Sequence, residues 1–467
     1  MKPAIDLMGK RVLVVGLART GIATALFCAA RGAHVTASEE RPEREVAEAA
    51  EKLRAAGCAL ELGGHTERTF LEQDLIVPSP GVPQDLPPLA AARAQEIPIW
   101  SEIELAWRFL RGRMVAITGS NGKTTTTSLT AHILESAGVP VIVAGNIGTP
   151  LISRVGESSD STITVTEVSS FQLECIRDLR PDVGVLLNLT PDHLDRHASF
   201  EDYSRAKARM FENQTEQDFA VLNADDANAS QYAPSRPRIY WFSRTKHVSS
   251  GAFLRDDELV FRRDGTETVL LRRGEIGLRG DHNVENVLAA ACAALLVGAT
   301  PSAVASGVST FAGVEHRLEF VAEIAGVSYF NDSKATNVDA TLKALDAFPT
   351  GVLVILGGKD KGCDFGILRK SLRERARMVL LIGAAAEKIE SQLRGAVPVV
   401  HAGTIERAVE LASENARPGD TVLLAPACAS FDQFKNYEHR GRVFKQLVRH
   451  LAQAPSEGKA ATSGKNH

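Results

Sequence analysis

The run Thr118-Gly119-Ser120-Asn121-Gly122-Lys123-Thr124-Thr125 places two glycines, a lysine and several hydroxyls between a strand-like stretch, Met114 to Thr118, and a helix-like one. Glycines at such a turn let backbone N–H groups face phosphate oxygens, and the helix N-terminus behind them adds positive potential. Lys123 is suited to the β- and γ-phosphates as a point charge, and the Thr124 hydroxyl to Mg²⁺. The run departs from the common G-x-x-x-x-G-K-[ST] pattern, because Ile117 stands where the first glycine would be. Thr124 to Thr127 are poor helix formers, so a plain strand–helix turn carrying a surface lysine is a costly alternative reading. The loop predicts a nucleotide site and leaves the reaction open.

Three further groups lie downstream. Glu167 ends a β-branched stretch from Ile163 to Thr166. Ligands of open α/β sheets bind at the carboxyl ends of strands, where an acidic residue facing a phosphate loop is a natural Mg²⁺ ligand. His193 and His197, four apart in Asn188-Leu-Thr-Pro-Asp-His-Leu-Asp-Arg-His197, have a spacing that could mark zinc on a helix. Leu194 replaces the glutamate of the zincin pattern, so zinc is rejected. His193 reads as a strand-end ligand or polar contact and His197 as a surface residue. Lys207, on a helical stretch from Tyr203 to Asn213, reads alone as a surface lysine with its stem laid over apolar neighbours.

The elements that must position these groups alternate. Strands are predicted at Val12–Val15, Ala33–Ala37 and Asp74–Val77, with helices at Ile22–Arg31 and Glu43–Ala56. A second series holds Met114–Thr118, Val141–Ala144, Ile163–Glu167 and Val183–Asn188, then a small antiparallel addition over Tyr240–Leu271 and a helix from Asn283 to Val297. A third series holds Val352–Leu356, Met378–Ile382, Val397–Val400 and Thr421–Leu424, with helices centred near Leu372, Ile389 and Val409. Strands alternating with helices predict parallel, doubly wound sheets. The expected fold is three consecutive α/β domains, residues 1–108, 109–313 and 314–452: Rossmann-like, phosphate-loop ATPase-like with the antiparallel addition, and Rossmann-like. Residues 453–467 are expected to form a disordered tail.

Composition agrees with this class. The 467 residues are 44% hydrophobic and 24% charged, with a formal net charge of −4, which argues against global disorder and against nucleic acid as a main partner. The apolar run Val287–Ala299 is shorter than the roughly 17–25 residues that span a bilayer and reads as a buried helix. The start lacks a signal-like apolar core, and the six cysteines show no paired spacing, so free thiols in a reducing cytoplasm are expected.

Taken in order, VVGLARTG, TGSNGKTT, GNIG at Gly145–Gly148, EVSSFQLE, DHLDRH, YSRAKARMFEN, GDHNVENVLAA, EHRLE, NDSKATN and PACASFDQFKNYEHRG resemble the Mur ligase family over roughly residues 8 to 450. Within it, the resemblance is strongest to the branch that adds D-glutamate to UDP-N-acetylmuramoyl-L-alanine. It implies ATP-driven phosphorylation of a carboxylate, attack by the amine on the acyl phosphate, and amide formation by a cytoplasmic monomer without a membrane span.

Carried over residue by residue, the resemblance assigns the ATP phosphates to Gly119, Ser120, Asn121, Gly122, Lys123, Thr124 and Thr125, and further ATP contacts to Asn283, Asn286 and Arg317. One Mg²⁺ falls to Thr124 and Glu167, and a second to His193 and Lys207, the lysine being carbamylated. Carbamylation turns a cation into an anion and removes the repulsion between lysine and metal. Arg19, Thr20, Glu39, Arg41, Ser79, Asn146 and His193 match contacts to the uridine-diphosphate substrate. Thr336, Lys361, Ser430 and Tyr437 match the D-glutamate site, and Lys334 joins Lys123, Glu167, His193 and Lys207 as catalytic. Tyr437 stands where the family often has phenylalanine, and Glu39-Glu40 where a familiar relative has Asp-Thr.

Other readings predict different chemistry. Gly16-Leu17-Ala18-Arg19-Thr20-Gly21 resembles a dinucleotide fingerprint and would make the chain a nicotinamide-dependent oxidoreductase, but Ala18 crowds the pyrophosphate approach. Sister ligases that extend folate lack the amino-terminal unit, and the Asp-Asn-Pro-Arg signature of the diamino acid-adding ligase is absent from the sequence. The oxidoreductase reading would also leave the phosphate loop, Glu167 and Lys361 unexplained, and a non-catalytic nucleotide-regulated binding protein would bind nucleotide without releasing phosphate, whatever amino acid is offered. With substrate nucleotide, ATP and amino acid held by separate domains, positioning is expected to supply roughly 7–11 kcal/mol of barrier reduction, with no covalent enzyme intermediate.

Overall fold

Alternating strands and helices produce three open sheets, which a computed structural model describes over residues 5–194 and 196–453. The first is fully parallel, with strands in the order Ala59–Leu62, His34–Glu39, Arg11–Val15, Leu75–Pro78. Its central strand is apolar on both faces because both are covered. Val12 and Val14 pack with Ala25 and Cys28 of the helix Arg19–Ala29, while Leu13 and Val15 face Phe70 and Leu89. Each such side chain removed from water contributes about 1.5–3 kcal/mol.

The second sheet has nine strands, in the order Thr266–Arg272, Glu258–Arg263, Gly251–Arg255, Arg238–Ser243, Phe219–Asn223, Val183–Leu186, Arg113–Thr118, Ile163–Glu167, Val141–Gly145. Val115 and Ile117 turn to a core shared with the helices Lys123–Ser136 and Asp281–Leu296; Met114 and Ala116 turn to the opposite face. The expected buried helix is present, with every residue from Val287 to Leu296 buried. The antiparallel addition continues the main sheet: Gly251–Arg255 pairs in parallel with Arg238–Ser243, and Glu258–Arg263 pairs antiparallel with both Gly251–Arg255 and Thr266–Arg272.

The third sheet has the order Glu319–Ile324, Val327–Asn331, Thr421–Leu424, Val352–Gly357, Ala376–Ile382, Val399–Gly403, parallel except for the first hairpin. Its helices Val338–Asp346 and Ile405–Asn415 open on the N-caps Asn337 and Thr404, whose side chains accept backbone N–H bonds.

Two compact units are formed, one comprising residues up to 278 with 282–312, the other residues 279–281 with those from 313 onward. The first holds the four- and nine-stranded sheets and the second the six-stranded one. Among the described residues no helix is long and apolar enough to cross a membrane. The six cysteines form no disulfide with one another.

Local differences from expectation have physical causes. The helix expected over Glu43–Ala56 is interrupted: a 3₁₀ turn, Glu43–Glu45, precedes the α-helix Ala47–Ala55, because Val46 leaves helical geometry to bury its side chain. Strands Ala59–Leu62 and Phe219–Asn223 and the hairpin Glu319–Ile324/Val327–Asn331 were not marked by the sequence pattern. The tail expectation for 454–467 lies outside the described residues.

Candidate active site

The phosphate loop follows the strand Arg113–Thr118 at the centre of the nine-stranded sheet and leads into the helix Lys123–Ser136. Gly122 caps that helix at φ 84°, and a Cβ there would lie 2.3 Å from Asn286 Oδ1. The loop therefore needs glycine for both conformation and space. Neighbouring strand ends hold it. Ser120 N donates to Asn188 O at 2.9 Å and Asn121 N to Asn188 Oδ1 at 2.8 Å. The Ser120 hydroxyl donates to Thr190 O and lies 2.9 Å from the Tyr203 hydroxyl. Lys123 Nζ folds back onto Gly119 O and Ser120 O at 2.8 and 2.7 Å, within the loop's own curve. Asn188 and Tyr203 are supporting residues that the sequence motifs did not single out, because their roles depend on chain segments far apart.

Thr124 Oγ1 donates to Glu167 Oε2 at 2.8 Å, and Asn146 Nδ2 donates to Glu167 Oε1 at 2.8 Å. Glu167 is only 2% exposed. A buried carboxylate beside a hydroxyl is a hard-oxygen donor pair of the kind Mg²⁺ takes, so the residues present fit that ion.

Lys207 is as buried as Glu167, contrary to the surface reading of its helix, Phe200–Ala208. Its Nζ lies 3.5 Å from Thr118 Oγ1 and 4.7 Å from the Tyr203 ring centre. Burial pushes its pKa well below the ordinary lysine value, and the charge of Lys123 lowers it further, against the opposing pull of Asp192 and Glu167. Lys123, Glu167, Asp192 and Lys207 thus share one electrostatic neighbourhood. Desolvation of this kind favours the neutral, nucleophilic form of the amine, which fits a carbamylation site.

His193 has φ 54°, and its ring lies edge-on to Phe171 at 5.1 Å. Backbone in this region is sparsely populated by non-glycine residues and concentrates at functional sites. His197 corrects the expectation of a surface residue: it is buried, stacks on Phe171 at 5.3 Å, and contacts Ser170 Oγ at 3.0 Å. Burial, then the charge of Lys207, lowers its pKa.

Behind the loop, Asn286 Nδ2 donates to Asn283 Oδ1 at 2.9 Å and Asn286 Oδ1 accepts from Thr126. Thr125 is buried in the first turn of the loop's helix.

In the four-stranded sheet, Glu39 spends both carboxylate oxygens locally, accepting from Leu17 N at 2.7 Å and from Arg41 through backbone and guanidinium. Burial raises its pKa, but these bonds outweigh burial and hold it at about 2. With both oxygens so engaged, Glu39 holds this loop together, unlike the ribose-binding acid of a dinucleotide site. Ser79 Oγ donates to Gly16 O at 2.8 Å, and Thr20 O accepts from Thr24. Arg19 reaches Gly148 O at 2.8 Å, tying the first sheet's loop to the GNIG segment that carries Asn146.

In the second unit, Lys334 and Thr336 lie on the loop after the strand Val327–Asn331, with Lys334 Nζ 5.4 Å from the Tyr437 ring centre. Lys361 is exposed and Ser430 buried, on loops joined by the backbone bonds Lys359 N to Ala429 O and Ala429 N to Lys359 O, 2.8 and 3.1 Å long. Near Arg317, Asp332 is buried with Oδ1 unbonded. Burial raises its pKa to about 6, opposed by Arg317 and Lys334. Glu315, His316 and Glu319 also cluster, but Lys445 Nζ already bridges the two carboxylates at 2.6 and 2.8 Å.

A phosphate loop at the tip of a mostly parallel sheet, facing a buried carboxylate, defines the chain as an α/β enzyme of the nucleotide-dependent class. Residues 10–101 match the Mur ligase MurD-like N-terminal domain, 117–294 the Mur ligase middle domain, and 316–428 the Mur ligase glutamate ligase domain. The chain belongs to the Mur ligase family.

It is 54% identical over 450 residues to UDP-N-acetylmuramoylalanine–D-glutamate ligase of Koribacter versatilis, covering 96% of this chain and 99% of that protein. It is 55% identical over 447 residues to the ligase of the same name from Acidobacterium capsulatum, covering 95% and 97%. Among solved structures, a pseudomurein peptide ligase type C from Methanothermus fervidus aligns with TM-score 0.60 at 19% identity, over 95% of this chain and 100% of that one. UDP-N-acetylmuramate-alanine ligase of Thermotoga maritima aligns with TM-score 0.59 at 20% identity, over 94% and 99%. At such identities the two structures share the fold.

Proposed function

We propose that this chain joins the amine of D-glutamate to the carboxylate of UDP-N-acetylmuramoyl-L-alanine, with ATP cleaved to ADP and phosphate, in peptidoglycan precursor synthesis. The observation that carries this reading is the Thr124–Glu167 pair on the phosphate loop of a chain 54% identical to ligases of that name.

A carboxylate is a poor electrophile, and phosphorylation supplies a leaving group. The substrate carboxylate oxygen attacks the γ-phosphorus and ADP departs. The amine nitrogen then attacks the carbonyl carbon of the acyl phosphate, and the tetrahedral adduct expels phosphate while the nitrogen loses its proton.

Lys123, with backbone N–H groups of Gly119 to Thr125, would neutralise the phosphates, and Asn283, Asn286 and Arg317 would orient ATP. Thr124 and Glu167 would hold one Mg²⁺, and His193 with a carbamylated Lys207 a second. When bound, these ions supply charge neutralisation on the transferred phosphoryl group. Arg19, Thr20, Glu39, Arg41, Ser79, Asn146 and His193 would bind the uridine-diphosphate substrate, with Glu39 also fixing Leu17 and Arg41. Lys361 and Ser430 offer a charge and a hydroxyl to the glutamate carboxylates, beside Thr336, Lys334 and Tyr437. In this reading the domains are residues 1–108, 109–313 and 314–452, and the enzyme works as a cytoplasmic monomer.

Phosphate release with ATP, Mg²⁺ and UDP-N-acetylmuramoyl-L-alanine across a panel of amino acids tests the proposal. Fast turnover with D-glutamate alone is expected; equal rates with L-alanine or meso-diaminopimelate would reassign the enzyme within its family.

A further inference from the structure

Arg440 is fully buried on the helix Tyr437–Gln453. Among the described residues no carboxylate lies within ion-pair distance of its guanidinium. A buried cation of this kind is costly unless its donors are satisfied, and here they are satisfied by main chain. Nε donates to Ser333 Oγ at 3.0 Å, and Nη2 to Ser333 O at 2.9 Å and Cys428 O at 3.2 Å. Nη1 donates to Cys428 O at 3.3 Å and approaches Ala429 O at 3.5 Å. The Ser333 hydroxyl in turn donates to Tyr437 O at 2.8 Å.

These contacts join three chain segments. Ser333 immediately precedes Lys334 and lies three residues before Thr336; Cys428 and Ala429 immediately precede Ser430; Tyr437 begins the helix that carries Arg440. The second loop needs such a restraint, since Ala427 stands at φ 59°, where an L-residue is strained. Gly358, at the base of the Lys361 loop, would place a Cβ 3.2 Å from Arg440 Nη1, so that loop also packs against the guanidinium.

We propose that Arg440 is a positioning residue for the amino-acid pocket: its guanidinium holds the Lys334–Thr336 loop, the Ser430 loop and Tyr437 in register, and so sets affinity for the incoming dicarboxylate without touching it. The inference rests on the D-glutamate reading above. A planar fork with five donors can serve carbonyls on two loops at once, whereas an ammonium cannot reproduce that geometry.

The test is steady-state kinetics of the full chain and its variants Arg440→Lys and Ser333→Ala, each of the three substrates being varied in turn. Loss of charge-assisted bonds of this kind predicts that Arg440→Lys raises the KM for D-glutamate by about tenfold or more. The KM values for ATP and the uridine-diphosphate substrate should stay within about twofold. Ser333→Ala, which keeps the cation, should raise the same KM by a smaller factor, and it decides the matter if Arg440→Lys does not fold. An unchanged D-glutamate KM in the folded variants, or an equal rise in all three, would overturn the positioning role. Wild-type enzyme that ignores D-glutamate would instead overturn the substrate reading, and this inference with it.

Discussion

Thr124 Oγ1 donates to Glu167 Oε2 at 2.8 Å, joining the first turn of the phosphate-loop helix to the tip of the adjacent strand through two buried side chains. Strand Arg113–Thr118 pairs in parallel with Ile163–Glu167, with Ile117 opposite Glu167, so sheet register delivers the carboxylate to the hydroxyl. Replacing Glu167 by glutamine keeps the shape and one acceptor but removes the charge. Turnover should fall by about 10²-fold or more, with the Mg²⁺ concentration for half-maximal rate displaced upward. A variant with normal rate and normal Mg²⁺ dependence would remove Glu167 from the metal site.

Lys207 gives a pH and CO₂ dependence. Its lowered pKa leaves more neutral amine at neutral pH than a surface lysine has, and only the neutral amine adds to CO₂, forming an N–C bond and releasing a proton. Activity should fall in CO₂-depleted buffer, recover with bicarbonate, and decline as pH drops and the amine is protonated. Lys207→Arg should be inactive and unresponsive to bicarbonate. Full activity from a chain whose intact mass shows bare lysine at neutral pH would end the carbamate assignment.

Gly122 tests the loop's geometry. Alanine there adds a Cβ at φ 84° and 2.3 Å from Asn286 Oδ1. Gly122→Ala should destabilise the protein by about 1–3 kcal/mol and weaken ATP binding, read by denaturant unfolding and by nucleotide titration. Unaltered values for both would mean that the loop accommodates a side chain and that the close approach to Asn286 is not needed.

Glu39 supplies a prediction for acid stability. Its carboxyl is held at about 2 against an ordinary 4.5, so its contribution is present above the unfolded value and is lost as pH falls from about 4.5 towards 2. Arg41, half exposed, screens part of the effect. Glu39→Gln should therefore cost roughly 1–2 kcal/mol at neutral pH, and the gap between wild type and variant should narrow on acidification. A gap that stays constant from neutral pH down to pH 3 would contradict the assignment.

The phosphate loop, the strand-end position of Glu167 and the buried helix after Asn283 were legible because each is local: a glycine spacing, a β-branched run, an apolar stretch. The alternation of strand and helix predicted the parallel sheets for the same reason. Hairpin Glu319–Ile324/Val327–Asn331 was not legible, since its first strand is half exposed and carries no clean alternation. The 3₁₀ break at Val46 was equally hidden, because the pull of the core on a single valine leaves no periodic mark.

The amino-acid sequence by itself determined the family, the alternation that builds the three sheets, and the glycine turn between Arg113–Thr118 and Lys123–Ser136. Whether Lys207 and His197 sit in water or in the interior, and what Arg440 holds, were decided only by tertiary structure. The physical reason is that burial and hydrogen-bond partnership depend on residues tens to more than a hundred positions away. Thr118 lies 89 residues from Lys207 and Ser333 lies 107 from Arg440, and no local pattern records which distant backbone will arrive beside a given side chain.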